Sequence, residues 1–400
     1  MSATPPRIAI AAGGTAGHVV PALAVADALR ARGAEVTFIG GERAEAQLVP
    51  AAGYPLRTIA VAGLDRRNPL RAARALVLAV KGFVRARALL GELLPDAVMG
   101  GGGYVSGPVG LAAVTRRIPL VLTEADSHLG LANRALAPFA RRVCLAFPPV
   151  GAHSDAESRA TGAAVGEGAA AGEGAAVGRR SRLWSPVRRW RTTRGGAGGR
   201  YRVTGRPIPP PHEDRAGARE RLGIEPGDTC VLVFGGSLGA RSINLAAIEA
   251  YAGAAFHVLH ICGRRDHPEL AALPRPSGYD LREYLDLAEF AQALAAADLV
   301  VARAGGSLFE VAAHGRPAIL IPYPHAAADH QATNARWMAR GGAAVVVPDG
   351  ELSAARLARE TAILLADPQR MRAMAAAARR LARPDAAEAV AEELLEAAGG

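Results

Sequence analysis

The chain has 400 residues, half of them hydrophobic, and its formal net charge at pH 7 is +10. This length is typical of two domains that each bury a core, and no apolar stretch approaches the roughly 20 residues that a membrane span needs. Residues 151–200 carry nine arginines and four acids, so they contribute +5 of the charge. Elsewhere basic residues do not alternate with aromatic ones, which argues against nucleic acid as a partner.

Two features bear on the cellular compartment. The start, MSATPPRIAI, enters the first strand without the basic segment and cleavage site of a signal peptide, so none is expected. Cys144, Cys230 and Cys262 lie far apart in apolar runs and lack the spacing of metal ligands. They are predicted to be reduced core thiols of a cytoplasmic protein.

Strand-length apolar runs alternate with runs at helical spacing through the first half of the chain. The predicted strands are 7–12, 35–39, 56–61, 96–100, 118–123 and 142–146. The predicted helices are about 18–32, 43–52, 69–93, 107–116 and 130–138.

The alternation stops after Phe147. Residues 151–200 form an Ala/Gly/Glu repeat followed by an Arg/Trp-rich stretch, and no hydrophobic period survives there. Three interpretations stay open: a disordered insertion, a frameshifted or misread stretch, and a basic arm for anionic lipid. The abrupt change in composition favours the first two.

Regular patterning resumes with YRVTGRPIPPP, which predicts a strand followed by a proline-rich connection. The later strands are predicted at 229–234, 256–261, 279–284, 298–301, 317–321 and 343–346. The later helices are predicted at 241–250, 289–296, 306–314 and 329–340, followed by an alanine-rich helical region over 353–397 with a break at Pro384.

Two glycine-rich turns, GGTAGH at 13–18 and GGSLGA at 235–240, stand near the start of each half. Each follows a predicted strand and precedes a predicted helix, where free N–H groups and the helix dipole favour phosphate. A single turn of this kind is equally compatible with a tight βα connection that binds nothing. The pair predicts two doubly wound α/β domains that face each other across a cleft.

Other polar residues also lie at predicted strand ends, where open α/β sheets bind ligands. His18 follows the first turn, and the helix dipole there favours its neutral form, which can act as a base. The GGGGY sequence at 100–104 exposes main-chain amides, with Tyr104 and Ser106 at its rim. The alternative for His18 is a histidine that only packs against the turn, and the alternative for the glycine sequence is a flexible connector.

The segment 297–338 is the richest in polar groups. Glu310, one turn into a helix, can accept two hydrogen bonds from ribose, or it is an ordinary first-turn glutamate. Gln331 and Asn334 lie three residues apart and can reach sugar hydroxyls together, or they form a solvated face. Together with the glycine turns, these residues predict a pocket for a nucleotide sugar.

Seven sequences in chain order carry a resemblance to a known family: GGTAGH, GGGYVSGP, GLANRALA, VTGRPIP, GGSLGARSIN, RAGGSLFE and PYPHAAADHQATNA. With them the chain resembles the MurG family of peptidoglycan glycosyltransferases over 1–148 and 201–390. The resemblance implies a GT-B fold of two Rossmann-like domains. It also implies an inverting transfer of N-acetylglucosamine from UDP-N-acetylglucosamine to the C4 hydroxyl of lipid I, giving lipid II, with no metal or other cofactor required.

The resemblance assigns residues to the donor: Thr15, Ala16, Gly17, Asp126, Ser237, Leu287, Gly305, Gly306, Ser307, Leu308, Glu310 and Gln331. It implies that Ser237 contacts the diphosphate and that the main chain of Leu287 contacts uracil. It further implies that Glu310 binds the ribose and Gln331 the N-acetylglucosamine hydroxyls.

For the acceptor, the resemblance assigns a set in the first half: Gly102, Gly103, Tyr104 and Ser106. Thr15, Ala16 and Gly17 would also face the acceptor diphosphate, and His18 would be the general base for the attacking hydroxyl. Asn334 and Arg206 are further candidates.

The chain departs from the family pattern in three places. The family's His-Glu-Gln-Asn is Thr-Glu-Ala-Asp at 123–126, so a carboxylate, Asp126, replaces an amide. The family's Thr-Gly-Asn-Pro-Val-Arg is Thr-Gly-Arg-Pro-Ile-Pro at 204–209, so Pro209 replaces an arginine and Arg206 offers a charge nearby. The loop before Glu310 is one residue shorter.

These departures keep two other interpretations open, namely a catalytically impaired nucleotide-sugar-binding protein and another GT-B glycosyltransferase. A NAD-dependent dehydrogenase is disfavoured because neither turn is a full GxGxxG.

The expected organisation has an acceptor domain at 1–150, an insertion at 151–200, and the end of the first domain with a linker at 201–215. A donor domain at 216–383 and a final helix at 384–400 that packs back on the first domain complete it. The amphipathic helix 69–93, with Leu76, Val80 and Phe83 on one edge and arginines nearby, predicts contact with an anionic membrane. A peripheral location on the cytoplasmic face of the cell membrane follows, with cell-wall or division proteins as further partners.

Overall fold

The computed structural model describes residues 4–62, 69–148, 199–236, 239–326 and 329–399, without the side chains of 69–74 and 76. Ser237 and the whole of 151–198 therefore lie outside the described residues. Within them the chain forms two parallel β-sheets with helices on both faces.

The first sheet is built from β1 (Arg7–Ala11), β2 (Glu35–Gly40), β3 (Leu56–Thr58), β4 (Ala97–Gly100), β5 (Leu120–Glu124), β6 (Arg142–Leu145) and β7 (Tyr201–Val203). The strands are parallel and lie in the order β3-β2-β1-β4-β5-β6-β7. Its helices are α1 (Ala16–Ala31), α2 (Ala44–Ala51), α3 (Pro69–Leu93), α4 (Gly103–Thr115) and α5 (Leu131–Leu136), and a 3-10 turn follows at Ala137–Phe139.

The second sheet is built from β8 (Cys230–Phe234), β9 (His257–Ile261), β10 (Tyr279–Arg282), β11 (Leu299–Ala302), β12 (Ala318–Leu320) and β13 (Ala344–Val346). Its parallel strands lie in the order β10-β9-β8-β11-β12-β13. The helices of this half are α6 (Arg215–Arg221), α7 (Arg241–Ala250), α8 (His267–Ala271), α9 (Leu287–Ala296), α10 (Leu308–Ala313), α11 (His330–Arg340), α12 (Ala354–Leu365), α13 (Pro368–Leu381) and α14 (Ala386–Gly399), with a 3-10 turn at Asp349–Glu351.

In each sheet the strand order switches sides next to the first strand, as in doubly wound folds: β1 lies between β2 and β4, and β8 lies between β9 and β11. The predicted fold class is confirmed. The central strands are continuous buried runs: every residue of β4, β8 and β11 is buried, as expected for a parallel sheet covered on both faces.

Three boundaries differ from the sequence-based expectation. Helix α4 begins at Gly103, four residues before the predicted start, so the GGGGY sequence forms the helix N-terminus. The predicted strand 56–61 is paired only over Leu56–Thr58. The helical region 353–397 has a second break at Asp367, whose side chain accepts a hydrogen bond from the Arg370 N–H and starts a new helix with Pro368 in its first turn.

The closing helix α14 belongs to the core of the first sheet. Val390 and Leu394 are fully buried in the same cluster as Ile8 and Leu29 of β1 and α1. The buried carboxylate of Glu393 also pairs with Arg142 at 2.8 Å and with Arg202. Apolar packing and a hydrogen-bonded ion pair thus attach the end of the chain to its beginning.

The turns after β1 and β4 meet at the carboxyl edge of the first sheet. A side chain at Gly103, where φ is +74°, would overlap the carbonyl oxygen of Gly13. Only glycine allows both this φ and this close approach. The two loops are therefore packed against each other at this edge of the sheet.

Candidate active site

A cavity of about 420 Å³ lies between the two sheets. Residues from both glycine-rich turns line it, together with the strand-end loops of the second half. Predicted site residues in its wall are Thr15, Ala16, Gly17, Arg206, Leu287, Gly305, Gly306, Ser307, Glu310 and Gln331. This volume is within the range of small-molecule sites.

His18 lies in the first turn of α1, against the glycine loop that follows β4. Its Nδ1 is buried and has no hydrogen-bond partner among the described residues, and a Cβ on Gly102 would approach that nitrogen to 2.9 Å. Burial lowers the pKa of His18 and Arg206 lowers it further, while Asp126 opposes the shift. A neutral imidazole with an unsatisfied ring nitrogen is suited to proton transfer.

The glycine loop after β4 is held by a carboxylate to which no sequence motif points. Glu45, fully buried in α2, accepts hydrogen bonds from Gly14 N–H and Gly41 N–H, each at 2.9 Å, and from Tyr104 Oη at 2.8 Å. Burial alone would raise the pKa of Glu45, but these hydrogen bonds outweigh it and the pKa lies below its usual value. Glu45 therefore joins the turn after β1 to the turn after β4.

Tyr104 and Ser106 consequently have internal partners. The Tyr104 hydroxyl is engaged by Glu45, and the buried Ser106 hydroxyl donates to the carbonyls of Ala11 and Gly102 at 3.1 and 2.7 Å. The structure does not bring these two side chains to the cavity. Their contacts order the loop whose main chain, at Gly102 and Gly103, lies beside His18.

Glu310 occupies the first turn of α10 and lines the cavity. Burial raises its pKa to about 7, although the positive charge of Arg206 acts in the opposite direction. The preceding residues Gly305, Gly306 and Ser307 line the same wall, whereas Leu308 is fully buried in the core.

Gln331 and Asn334 do not act as the pair that their spacing suggested. Asn334 is fully buried and its amide donates to the Ala304 carbonyl at 3.2 Å. Gln331 lines the cavity, where its Oε1 accepts the Tyr323 N–H at 2.9 Å. Asn334 therefore lies on the buried side of α11 and supports the loop before Gly305 instead of facing a sugar.

Asp126 lies outside the cavity wall and faces the second half of the chain. Its Oδ1 is 4.0 Å from His330 Nε2. The neighbouring Glu124 accepts hydrogen bonds from Gly130 N–H at 2.7 Å and Asn133 Nδ2 at 3.0 Å, and burial nevertheless raises its pKa. Glu124 thus fixes the loop that carries Asp126.

Across the described part of the chain, no group of three or more His, Cys, Asp or Glu side chains is arranged to hold a metal ion. Cys144, Cys230 and Cys262 are buried and free, as the sequence predicted. Burial raises the pKa of the Cys144 and Cys230 thiols to about 12, so they are inert at neutral pH.

Two Rossmann-like domains with a cavity between their carboxyl edges define the GT-B class of glycosyltransferases. The fold agrees with solved structures. The crystal structure of Acinetobacter baumannii MurG superposes with a TM-score of 0.68 at 27% identity, covering 98% of this chain and all of that one. The calicheamicin glycosyltransferase CalG4 superposes with a TM-score of 0.64 at 17% identity, covering 99% of this chain and 98% of that one, which bears on the fold alone.

Sequence comparison narrows the class. Residues 8–145 match the glycosyltransferase family 28 N-terminal domain, and residues 230–390 match the glycosyltransferase family 28 C-terminal domain. UDP-N-acetylglucosamine--N-acetylmuramyl-(pentapeptide) pyrophosphoryl-undecaprenol N-acetylglucosamine transferase of Moorella thermoacetica is 41% identical, with 98% of each chain covered. The protein of that name from Pseudomonas fluorescens is 38% identical, covering 98% of this chain and 99% of its own. The chain belongs to the MurG family, within glycosyltransferase family 28.

Proposed function

We propose that this protein transfers N-acetylglucosamine from UDP-N-acetylglucosamine to the C4 hydroxyl of lipid I, which produces lipid II and UDP. The observation that carries the proposal is full-length similarity to transferases of that name at 34–41% identity. The cavity between the two glycine-rich turns supports it, because a nucleotide sugar is expected at the carboxyl edge of such a sheet.

The donor is proposed to occupy the wall formed by the second half. Glu310 is placed to accept hydrogen bonds from ribose hydroxyls, and Gln331 presents its amide nitrogen to sugar hydroxyls because its oxygen is already engaged. The main-chain groups of Leu287 and of Gly305–Ser307 complete the wall. Ser237, assigned to the diphosphate by the family resemblance, lies outside the described residues.

The acceptor is proposed to approach along the first half. His18 removes the proton from the C4 hydroxyl while that oxygen attacks C1 of N-acetylglucosamine from the face opposite UDP. The C1–O bond to the diphosphate breaks, its electron pair leaves with UDP, and the configuration at C1 inverts. The lowered pKa of His18 keeps the ring neutral and able to take this proton.

The acceptor is lipid-linked, so the site must operate at a bilayer surface. No helix in the described residues combines the length and the apolar character needed to cross a membrane. We propose peripheral attachment to the cytoplasmic face through helix α3, where Val77, Val80 and Val84 are 55–61% exposed on one edge. Lys81 and Arg85 are exposed beside them, and basic residues at such a surface are attracted to anionic lipid.

The decisive experiment is a transfer assay with radiolabelled UDP-N-acetylglucosamine and a lipid I analogue. Labelled lipid II that forms only when both substrates are present is the expected result. If UDP binds but no transfer occurs in any of several membrane mimics, the result would contradict the proposal and favour a nucleotide-sugar-binding protein. Transfer to a different acceptor alcohol but not to lipid I would favour another GT-B glycosyltransferase.

A further inference from the structure

Arg206 is a buried cation between the two halves of the chain. It follows β7 in the sequence TGRPIP and is only 7% exposed. Its guanidinium donates to the Gly17 carbonyl at 2.6 Å and, at the limit of hydrogen-bond distance, to the Ala125 carbonyl at 3.5 Å. No described carboxylate comes within 4.0 Å of it, so its charge is unpaired in this part of the chain.

The guanidinium lies between the first glycine-rich turn and the loop that follows β11. On one side lies Gly17, in the turn that leads into α1. On the other side a side chain at Gly306 would overlap the guanidinium group, so Gly306 is the residue that allows the second half to approach. Arg206 therefore contacts two loops, at Gly17 and at Gly306, that the family resemblance assigns to the donor.

The cavity wall contains a second arginine, Arg303, whose charge, unlike that of Arg206, is paired. Arg303 pairs with Asp349 at 2.5 Å, and its guanidinium also donates to Ser242 Oγ and to the Ile321 and Pro322 carbonyls. Its charge is neutralised within the second half. Of the cavity-lining cations that the structure describes, Arg206 is the one left to meet an anionic ligand.

Burying an unpaired guanidinium is unfavourable unless an anion completes its coordination. Asp126, Glu310 and Glu124 are near enough to favour its charged form, but none is bonded to it. A planar guanidinium with free N–H groups matches the geometry of a phosphate and binds it through two parallel hydrogen bonds.

We propose that Arg206 binds the diphosphate of the nucleotide-sugar donor across the interdomain cavity and balances the charge that builds up on the leaving UDP. The inference rests on the proposed function. It is particular to this chain: the resemblance leads one to expect an asparagine at position 206 and an arginine at 209, yet Pro209 lines the same cavity. Here the cation is supplied three residues earlier.

The test compares a ligand that carries the diphosphate with one that lacks it. Dissociation constants for UDP and for uridine are measured by calorimetry and by NMR titration, with wild type, Arg206→Gln, Arg206→Lys and Arg57→Gln. Arg57 is an exposed arginine on the edge strand β3, so its substitution removes the same charge away from the cavity. Thermal unfolding midpoints verify that each variant is folded.

Arg206→Gln should weaken UDP binding about 10- to 100-fold, as expected for loss of a charge-assisted phosphate contact, and leave uridine binding unchanged. Arg206→Lys, which keeps the charge without the fork, should fall between, and Arg57→Gln should bind UDP as wild type does. An equal loss for UDP and uridine would assign Arg206 to interdomain packing, and unchanged UDP binding would also overturn the inference. If the glutamine variant does not fold, the ratio of the two affinities in the lysine variant decides.

These measurements distinguish a failure of this inference from a failure of the proposed function. A wild-type protein that binds UDP through Arg206 but fails to glycosylate lipid I would contradict the function alone. A wild-type protein that glycosylates lipid I, with the Arg206→Gln variant unaffected in UDP affinity, KM and kcat, would contradict the inference alone.

Discussion

His18 illustrates how a single residue derives its chemistry from its surroundings. Burial and the nearby Arg206 disfavour the imidazolium, whereas Asp126, which itself faces His330, favours it. The net effect lowers the pKa of His18 below 6.5. A base must be neutral to act, so activity is lost as pH falls through this lowered pKa and not before.

We therefore expect kcat, measured at saturating donor so that Glu310 does not contribute, to be flat around pH 7 and to decline only below pH 6.5. His18→Ala should lower turnover roughly 10²- to 10⁴-fold and leave UDP binding near normal. A pH profile of both proteins, with UDP titrated by calorimetry as the control, checks this. Turnover within a few fold of wild type would mean that His18 only supports the turn.

Substitution of Glu310 should change the affinity for UDP and the stability of the folded protein in opposite directions. A raised carboxyl pKa, here about 7, means that the folded protein holds a proton that the unfolded chain releases near pH 4.5, so stability falls as pH rises from 4.5 through 7. Glu310→Gln removes that buried charge, and it should raise the unfolding midpoint at pH 8 by about 2–4 °C while weakening UDP binding. At pH 4 the stability difference should disappear. A lower midpoint at pH 8 would contradict the assignment.

Glu45 is expected to act on catalysis through the loops that it connects. Glu45→Gln keeps one carbonyl oxygen but directs an NH₂ group at an N–H donor, at a cost of about 1–3 kcal/mol. We expect lower stability in urea and reduced kcat, with UDP affinity reduced less than kcat, because most of the residues assigned to the donor lie in the other half. Tyr104→Phe, which removes only one of the three hydrogen bonds, is the milder control. A loss of UDP affinity as large as the loss of kcat would indicate a wider collapse of the site.

At the scale of single elements, helix α3 presents an apolar edge that differs in part from the expected one. Val80 is exposed as expected, but Phe83 packs into the core beneath the helix, and the exposed partners are Val77 and Val84. The side chain of Leu76 lies outside the described residues. The phase of the helix places residues 77, 80 and 84 outward because Ala86, Leu89 and Leu90 are buried in the core that α3 shares with α4.

Replacing Arg74, Lys81 and Arg85 together by glutamate should abolish sedimentation with anionic vesicles and spare UDP binding. Each basic residue near the surface contributes about 1 kcal/mol, screened by salt. The matched control replaces three arginines of α13, Arg370, Arg372 and Arg379, in the other half. Equal sedimentation of the α3 variant and wild type at low salt would exclude α3 as the docking element.

The elements themselves were largely predictable, and the polar contacts between them were not. Alternating strand and helix patterns with glycine turns predicted the doubly wound α/β class and the approximate position of most elements, because each depends on residues close in sequence. Glu45 carries no motif, and its partners Gly14 and Tyr104 are 31 and 59 residues away. Asn334 was expected to face a sugar, since spacing alone does not tell which side of α11 is buried. Arg206 was noticed for its charge, but its position between two loops required the structure.

At the scale of the whole molecule, the stability of the first half depends on α14. Leu394→Ala should cost about 2–5 kcal/mol, because Leu394 is fully buried beside β1 and α1. Hydrogen exchange should show lost protection in β1 and β4, with the second sheet unaffected. The exposed Glu392→Ala is the control on the same helix. Loss of protection confined to β8 and β11 would contradict this attachment.

The position of α14 also sets the order in which the protein can mature during synthesis. Residues 386–399 leave the ribosome after every strand of both sheets, yet they complete the core around Ile8 and Val25. Until then, the first half exposes the apolar groove that α14 later covers. The nascent first domain therefore stays partly folded until the second domain has been translated. A chaperone that covers this groove would bind the nascent chain and not the folded protein, in which α14 fills the groove.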